Sequence, residues 1–250
     1  MSKTTALGRS ANYLYHSTEP NRDDLNDWGQ QPDCKGVPSQ SSGILLYKNH
    51  NASLETGLWR CTPGTWRLSI PRDEFCHFTS GKATYRSDQG QVIQVGAESC
   101  VLFPAGWAGT CEVHETLQNA YMLSDLEINL PSEAAMKSAK TLNNPLAVTD
   151  VVDWGVIPTM IEGESKVSGV VLHKGENGES ETGLWICTSG YWNCHVTSDE
   201  FCHFMEGRAT YVHESGEVIE IEPNTAAFFP KDWKGTCRVH ETIKKTYMIR

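Results

Sequence analysis

The sequence predicts an all-β protein built from two copies of one unit, and three observations carry that prediction. The chain repeats itself at a constant spacing of 126 residues, the signature of a tandem duplication. Within each copy, short runs of alternating apolar and polar residues recur between turn formers, at the spacing of a sandwich or barrel. Only one segment carries the marks of a helix.

Taken in order, residues 1–23 hold turn formers, Tyr13, Tyr15 and scattered charge without a period, and read as an arm. The first unit covers 24–123, a connector 124–149 and the second unit 150–250. Asp24-Leu25-Asn26-Asp27-Trp28-Gly29 returns as Asp150-Val151-Val152-Asp153-Trp154-Gly155, and Ser42-Gly43 as Ser168-Gly169. Glu55-Thr56-Gly57-Leu58-Trp59 returns as Glu181-Thr182-Gly183-Leu184-Trp185, and Asp73-Glu74-Phe75-Cys76-His77-Phe78 as Asp199-Glu200-Phe201-Cys202-His203-Phe204. About half the positions from Glu55 to Leu123 are identical in the second copy, far above chance.

Thr65 to Ile70 alternates with period two and stops at Pro71, as a half-buried strand does. Glu74 to Phe78 is a second strand, closed by a turn at Ser80-Gly81. Ala83–Arg86, Gln91–Val95, Cys100–Phe103, Cys111–Val113 and Ala120–Leu123 complete the run. The helix-like segment is Pro131 to Lys137, with Ser132 at a cap position, acid in the first turn and alanine inside.

The formal net charge of −10, with no cluster of Lys or Arg, argues against a phosphate-binding face and so against nucleic acid. No apolar run reaches the length of a bilayer span, which predicts no membrane partner. The polar N-terminus shows no signal-peptide core, so the cytoplasm is the expected compartment. Nine cysteines, an odd number, fit reduced thiols better than a disulfide framework.

The run Asp73 to Gly81, then Phe103-Pro104-Ala105-Gly106-Trp107, then Val113-His114-Glu115, resembles the cupin superfamily. The likeness is to the branch named for (S)-ureidoglycine aminohydrolase cupin domains, which includes ethanolamine-utilisation relatives. It spans nearly all of each copy, although Pro230-Lys231-Asp232 loses the glycine of the second signature. The resemblance implies a bicupin: two jelly-roll β-barrels in one chain, acting on or binding a small molecule, as a monomer or a homodimer.

It also implies where a metal would sit. The best-known cupins hold one with histidines and a glutamate inside the barrel. Counting back from Glu200, the two leading ligand positions fall on Asn193 and His195; from Glu74 they fall on Arg67 and Ser69. The last position falls on Gly109 and Gly235, so neither copy carries the full set. The expected inward set is Arg67, Ser69, Glu74 and Cys76 in the first copy, with Arg67 pairing with Glu74 or binding a small anion. In the second copy it is Asn193, His195, Glu200 and Cys202, which admits a divalent metal (Mn, Zn, Fe or Ni) on His195 and Glu200, with these two as acid–base groups. Strand parity adds Cys111 and Cys237 to the interior, where small thiols pack well. It puts Trp66 and Trp192 outside and leaves Trp107 and Trp233 as the aromatic walls. His77 and His203 fall on the strand face away from the pocket.

The favoured reading is a bicupin binding a small polar metabolite without a full metal-ligand set. The alternatives are a metal-dependent, aminohydrolase-like enzyme working in the second barrel, and a purely structural pairing module.

Overall fold

The computed structural model describes residues 25–125, 138–175, 178 and 180–250, with the backbone of 14–16. In chain order the strands are β1 (Leu14–His16), β2 (Asn26–Gln30), β3 (Gln40–Lys48), β4 (Leu54–Cys61), β5 (Gly64–Ser69), β6 (Asp73–Ser87), β7 (Val92–Val95), β8 (Ser99–Phe103), β9 (Ala108–Ser124) and β10 (Lys140–Asn143). The second unit follows with β11 (Val152–Val156), β12 (Met160–Glu162), β13 (Lys166–Lys174), β14 (Glu181–Cys187), β15 (Gly190–Val196), β16 (Glu200–His213), β17 (Val218–Ile221), β18 (Thr225–Phe229) and β19 (Trp233–Ile249). A 3-10 turn at Pro145–Ala147 is the only helical element among the described residues. The helix expected at 131–137 lies outside them.

Each unit is built on two long antiparallel strands, β6 with β9 and β16 with β19. In the first unit β8 and β4 flank one half of this pair, while β7 and β5 flank the other. The sheet therefore curls over both faces of its own centre and encloses a core. This merges strands expected to be separate: β6 runs through Ser80-Gly81 without a turn, and β9 joins the two segments expected at 111–113 and 120–123. What was read as a turn is a set of bulges between Phe78 and Ala83. Gly81 takes a φ of +85°, and a Cβ there would stand 2.2 Å from the Thr116 carbonyl oxygen. Gly207 repeats this with a φ of +82° and 2.1 Å to Thr242. Glycine is needed because the bulge aims the backbone left-handed into its neighbour strand.

The two units trade edge strands. β10, ahead of the second unit in sequence, pairs with β8 of the first; β1, ahead of the first, pairs with β18 of the second. Period-two alternation then sorts the faces of β6 and β16. Glu74, Cys76 and Phe78 point into the first barrel, while Phe75 and His77 point at the second unit. There Phe75, Phe201, Phe228, Met122, Met248 and Leu58 form a core shared by both units. His203 and His77 meet within it, Nδ1 to Nδ1 at 2.6 Å, so one ring donates and the other accepts. Tyr47 stacks on Phe228 with ring centroids 4.2 Å apart.

Candidate functional site

Each barrel is filled by side chains at its closed end and hollow at its mouth. The second holds a cavity of about 360 Å³. Its apolar wall comes from Trp185 on β14, Trp192 on β15, Tyr211 on β16 and Phe229 on β18, with Trp154 of β11 at the mouth. Trp154 reaches that place because Gly169 has no side chain; a Cβ there would lie 2.6 Å from the indole.

The polar floor is Lys245 on β19. Its Nζ donates to Glu200 Oε1 at 2.6 Å and to Cys202 Sγ at 3.2 Å, and sits 4.7 Å from the Trp185 ring centroid. The Lys245 side chain is only 8% exposed, so the pair is shielded from water. Burial by itself would lower the lysine, but Cys202 and Glu200 raise it by more, and its net shift is upward. Burial, then the Glu200 charge, pushes the Cys202 thiol well above its ordinary value, with Lys245 opposing. The ammonium is paired at 2.6 Å with the Glu200 carboxylate. Beside them Tyr247 donates to Glu181 Oε1 at 2.6 Å, and Glu181 also meets Lys174 at 3.1 Å.

The first barrel repeats this arrangement with one decisive exchange. Its cavity, about 220 Å³, is lined at the matching positions by Trp28, Trp59, Trp66, Tyr85, Tyr121 and Glu74. Asn119 stands where the second barrel has Lys245, and Leu68 where it has Cys194. Glu74 receives the Cys76 thiol at 3.3 Å and no ammonium. Burial raises its carboxyl above the ordinary value, Cys76 and Arg72 oppose, and Glu55 adds to the rise.

The EutQ-like cupin domain model matches the sequence twice, over residues 50–121 and 174–247. The chain belongs to this cupin family. Its fold is similar to that of a protein of unknown function from Pseudomonas syringae pv. tomato, with a TM-score of 0.74 at 13% identity over 95% of this chain and 98% of that one. It also resembles Ylba from E. coli, with a TM-score of 0.59 at 11% identity, covering 94% and 89% of the two chains. A mutant oxalate decarboxylase from Bacillus subtilis aligns with a TM-score of 0.50 at 14% identity, over 97% and 78%. No curated protein sequence matches the chain significantly. At such identities the likenesses concern the fold.

Within this bicupin the expected interior sets divide. Glu74, Cys76 and Cys111 line the first cavity, and Glu200 lines the second. Cys202 and Cys237 are buried in the second barrel's core, Cys202 in contact with the floor. The strand ahead of each glutamate has the opposite parity to that expected, because the link at Pro71 and Thr197 does not carry the alternation from one strand to the next. Arg67 therefore faces out and forms a bidentate pair with Asp88, far from Glu74. Ser69 and Asn193 are likewise exposed. His195 lines the second cavity with Glu200 but only at its rim, half-exposed, its Nε2 3.8 Å from Asp232. The inward residues of these strands are Trp66, Leu68 and Ile70, and Trp192, Cys194 and Val196. Trp66 and Trp192 are the walls, whereas Trp107 and Trp233 are buried core residues that line neither cavity.

These residues do not fit a divalent metal. Glu200 already carries the Lys245 ammonium, and a second cation beside it would be repelled. Among the described residues no three His, Cys, Asp or Glu side chains converge. Lys245 went unnoticed in the sequence, although alignment of the copies offered a signal: Gln118-Asn119-Ala120-Tyr121 against Lys244-Lys245-Thr246-Tyr247, with Lys245 at an inward position.

Proposed function

We propose that this protein is a small-molecule-binding bicupin whose second barrel takes a compact polar metabolite bearing an amide or ureido group. The observation that carries this reading is the Lys245–Glu200 pair on the cavity floor. Two of the three ammonium donors are engaged by Glu200 and Cys202, and beyond these the ammonium meets the Trp185 ring face, a weaker partner than a ligand carbonyl oxygen. Glu200 takes Lys245 and Cys202 on Oε1, and its second oxygen would accept from the ligand's N–H. A donor and an acceptor side by side match the oxygen and nitrogen of an amide, and the indoles of Trp154, Trp185 and Trp192 supply faces for its planar body.

The resemblance to ureidoglycine aminohydrolase-type cupins agrees with a ureido ligand. Hydrolysis is the second reading, and Glu200 would be its base. Neither reading uses a metal held by His195.

Thermal shift with a panel of ureides, amino acids and sugars tests the proposal, because a ligand of the native state raises the melting temperature by mass action. N-carbamoylglycine is expected to raise it in a concentration-dependent way, and Lys245→Met to abolish the rise. No shift across the panel would remove the proposal. Ammonia release from the same compound, lost in Glu200→Gln, would establish the second reading over simple binding.

A further inference from the structure

The internal duplication provides a template for the first barrel. In the second, an ammonium is held by a carboxylate, a thiol and an indole face. The first barrel keeps all three acceptors, Glu74, Cys76 and Trp59, in the same places on β6 and β4. Only the cation is gone. Asn119 is far shorter than lysine, so the space next to Glu74 belongs to the cavity.

Two further observations mark that space as a cation site. Asn119 is 3% exposed and lines the cavity, yet its Oδ1 accepts no hydrogen bond from the described residues. A buried amide oxygen without a donor is costly unless something supplies one. The cavity wall also carries two carboxylates and, among the described residues, no Lys or Arg: Glu55 meets Lys48 from outside at 2.9 Å, and Glu74 feels Arg72, which does not line the pocket. A ligand anion, expected earlier on Arg67, would meet two carboxylates there.

We propose that the first barrel holds a primary alkylammonium ligand, its cation seated on Glu74 and Asn119 against the Trp59 ring, where the second barrel places its own Lys245. Such a cation donates to Glu74 through a charge-assisted bond, donates to Asn119 Oδ1 and takes the indole face. Its alkyl body runs toward Leu68, Leu123 and Trp28 at the mouth. The site is separate from the amide site proposed for the second barrel, and its ligand has the opposite polarity.

The test uses the full-length protein, labelled with 15N, and n-butylammonium as the probe, with n-butanol and butanoate as controls. The amine is expected to shift the Asn119 side-chain amide resonance saturably, and neither control to do so. Asn119→Lys supplies the ammonium from within and is expected to weaken binding by about tenfold or more without loss of thermal stability. Glu74→Gln is expected to weaken it as much, and decides the matter if Asn119→Lys does not fold. Lys245→Asn is expected to raise the calorimetric stoichiometry from one amine to two. The proposal is overturned if the amine does not saturate the Asn119 signal, or if Glu74→Gln binds it like the parent. Lys245→Met separates the two proposals, because it abolishes the ureido response and leaves amine binding intact.

Discussion

At the scale of single residues, the two barrels differ most at Asn119 and Lys245. Lys245 and Glu200 form a shielded ion pair, and breaking such a pair leaves a buried charge without compensation. Lys245→Met is expected to cost about 3–5 kcal/mol. Adding Glu200→Gln to the same chain should recover most of it, since the stranded charge is then removed. Urea unfolding of the two single variants and the double variant measures the coupling. The opposite logic holds for Glu74. Its folded-state value lies above the unfolded one, so its contribution to stability is present below the ordinary carboxylate range and is lost as pH rises through the folded value. Glu74→Gln should therefore be more stable than the parent at about pH 8 and lose that advantage near about pH 4. Urea midpoints at the two pH values check this, and equal advantages at both would show that Glu74 carries no buried charge. A carboxylate kept at such a cost fits a binding role better than a structural one.

At the scale of elements, the bulges in β6 and β16 carry the barrel through its bend. Gly207 combines a left-handed φ with 2.1 Å between its would-be Cβ and a backbone oxygen, so no flexible side chain can yield. Gly207→Ala is expected to cost at least about 1–3 kcal/mol; Gly216→Ala, with a similar φ of +89° but nothing within 4 Å, should cost less. Comparing the two in denaturant separates backbone strain from collision. This element also shows how far periodicity reaches. A glycine amid alternating residues signals a break, but a turn and a bulge leave the same trace. The choice is made by the partner strand: β9 runs alongside β6 without interruption from Ala83 to Ser87 and again from Asp73 to Phe78.

At the scale of the whole molecule, the shared core makes two barrels one cooperative body. Phe201 is fully buried between them, and Phe201→Ala should cost about 3–5 kcal/mol. Because both units lose packing when either opens, calorimetry of the parent is expected to show a single transition. Two well-separated transitions would mean that the barrels fold apart. The exchange of β1 and β10 works in the same direction, since neither barrel has its full set of edge strands from its own repeat.

Much of this was determined by the sequence alone. The constant offset between repeats and the cupin signatures stand in the residues themselves, while the strand content and the inward placement of Glu74, Cys76, Glu200 and Cys202 follow from period two within single strands. Parity cannot be carried across a link, because a loop of a few residues is free to rotate the next strand by one position. That freedom put Arg67 and Asn193 outside, left His195 at the rim, and brought Trp66, Trp192 and Cys194 inside. It also hid Lys245, which lies 45 residues beyond Glu200 and becomes its partner only when β19 folds back along β16. Tertiary pairing alone decided which charges share a cavity, and so what chemistry each barrel offers.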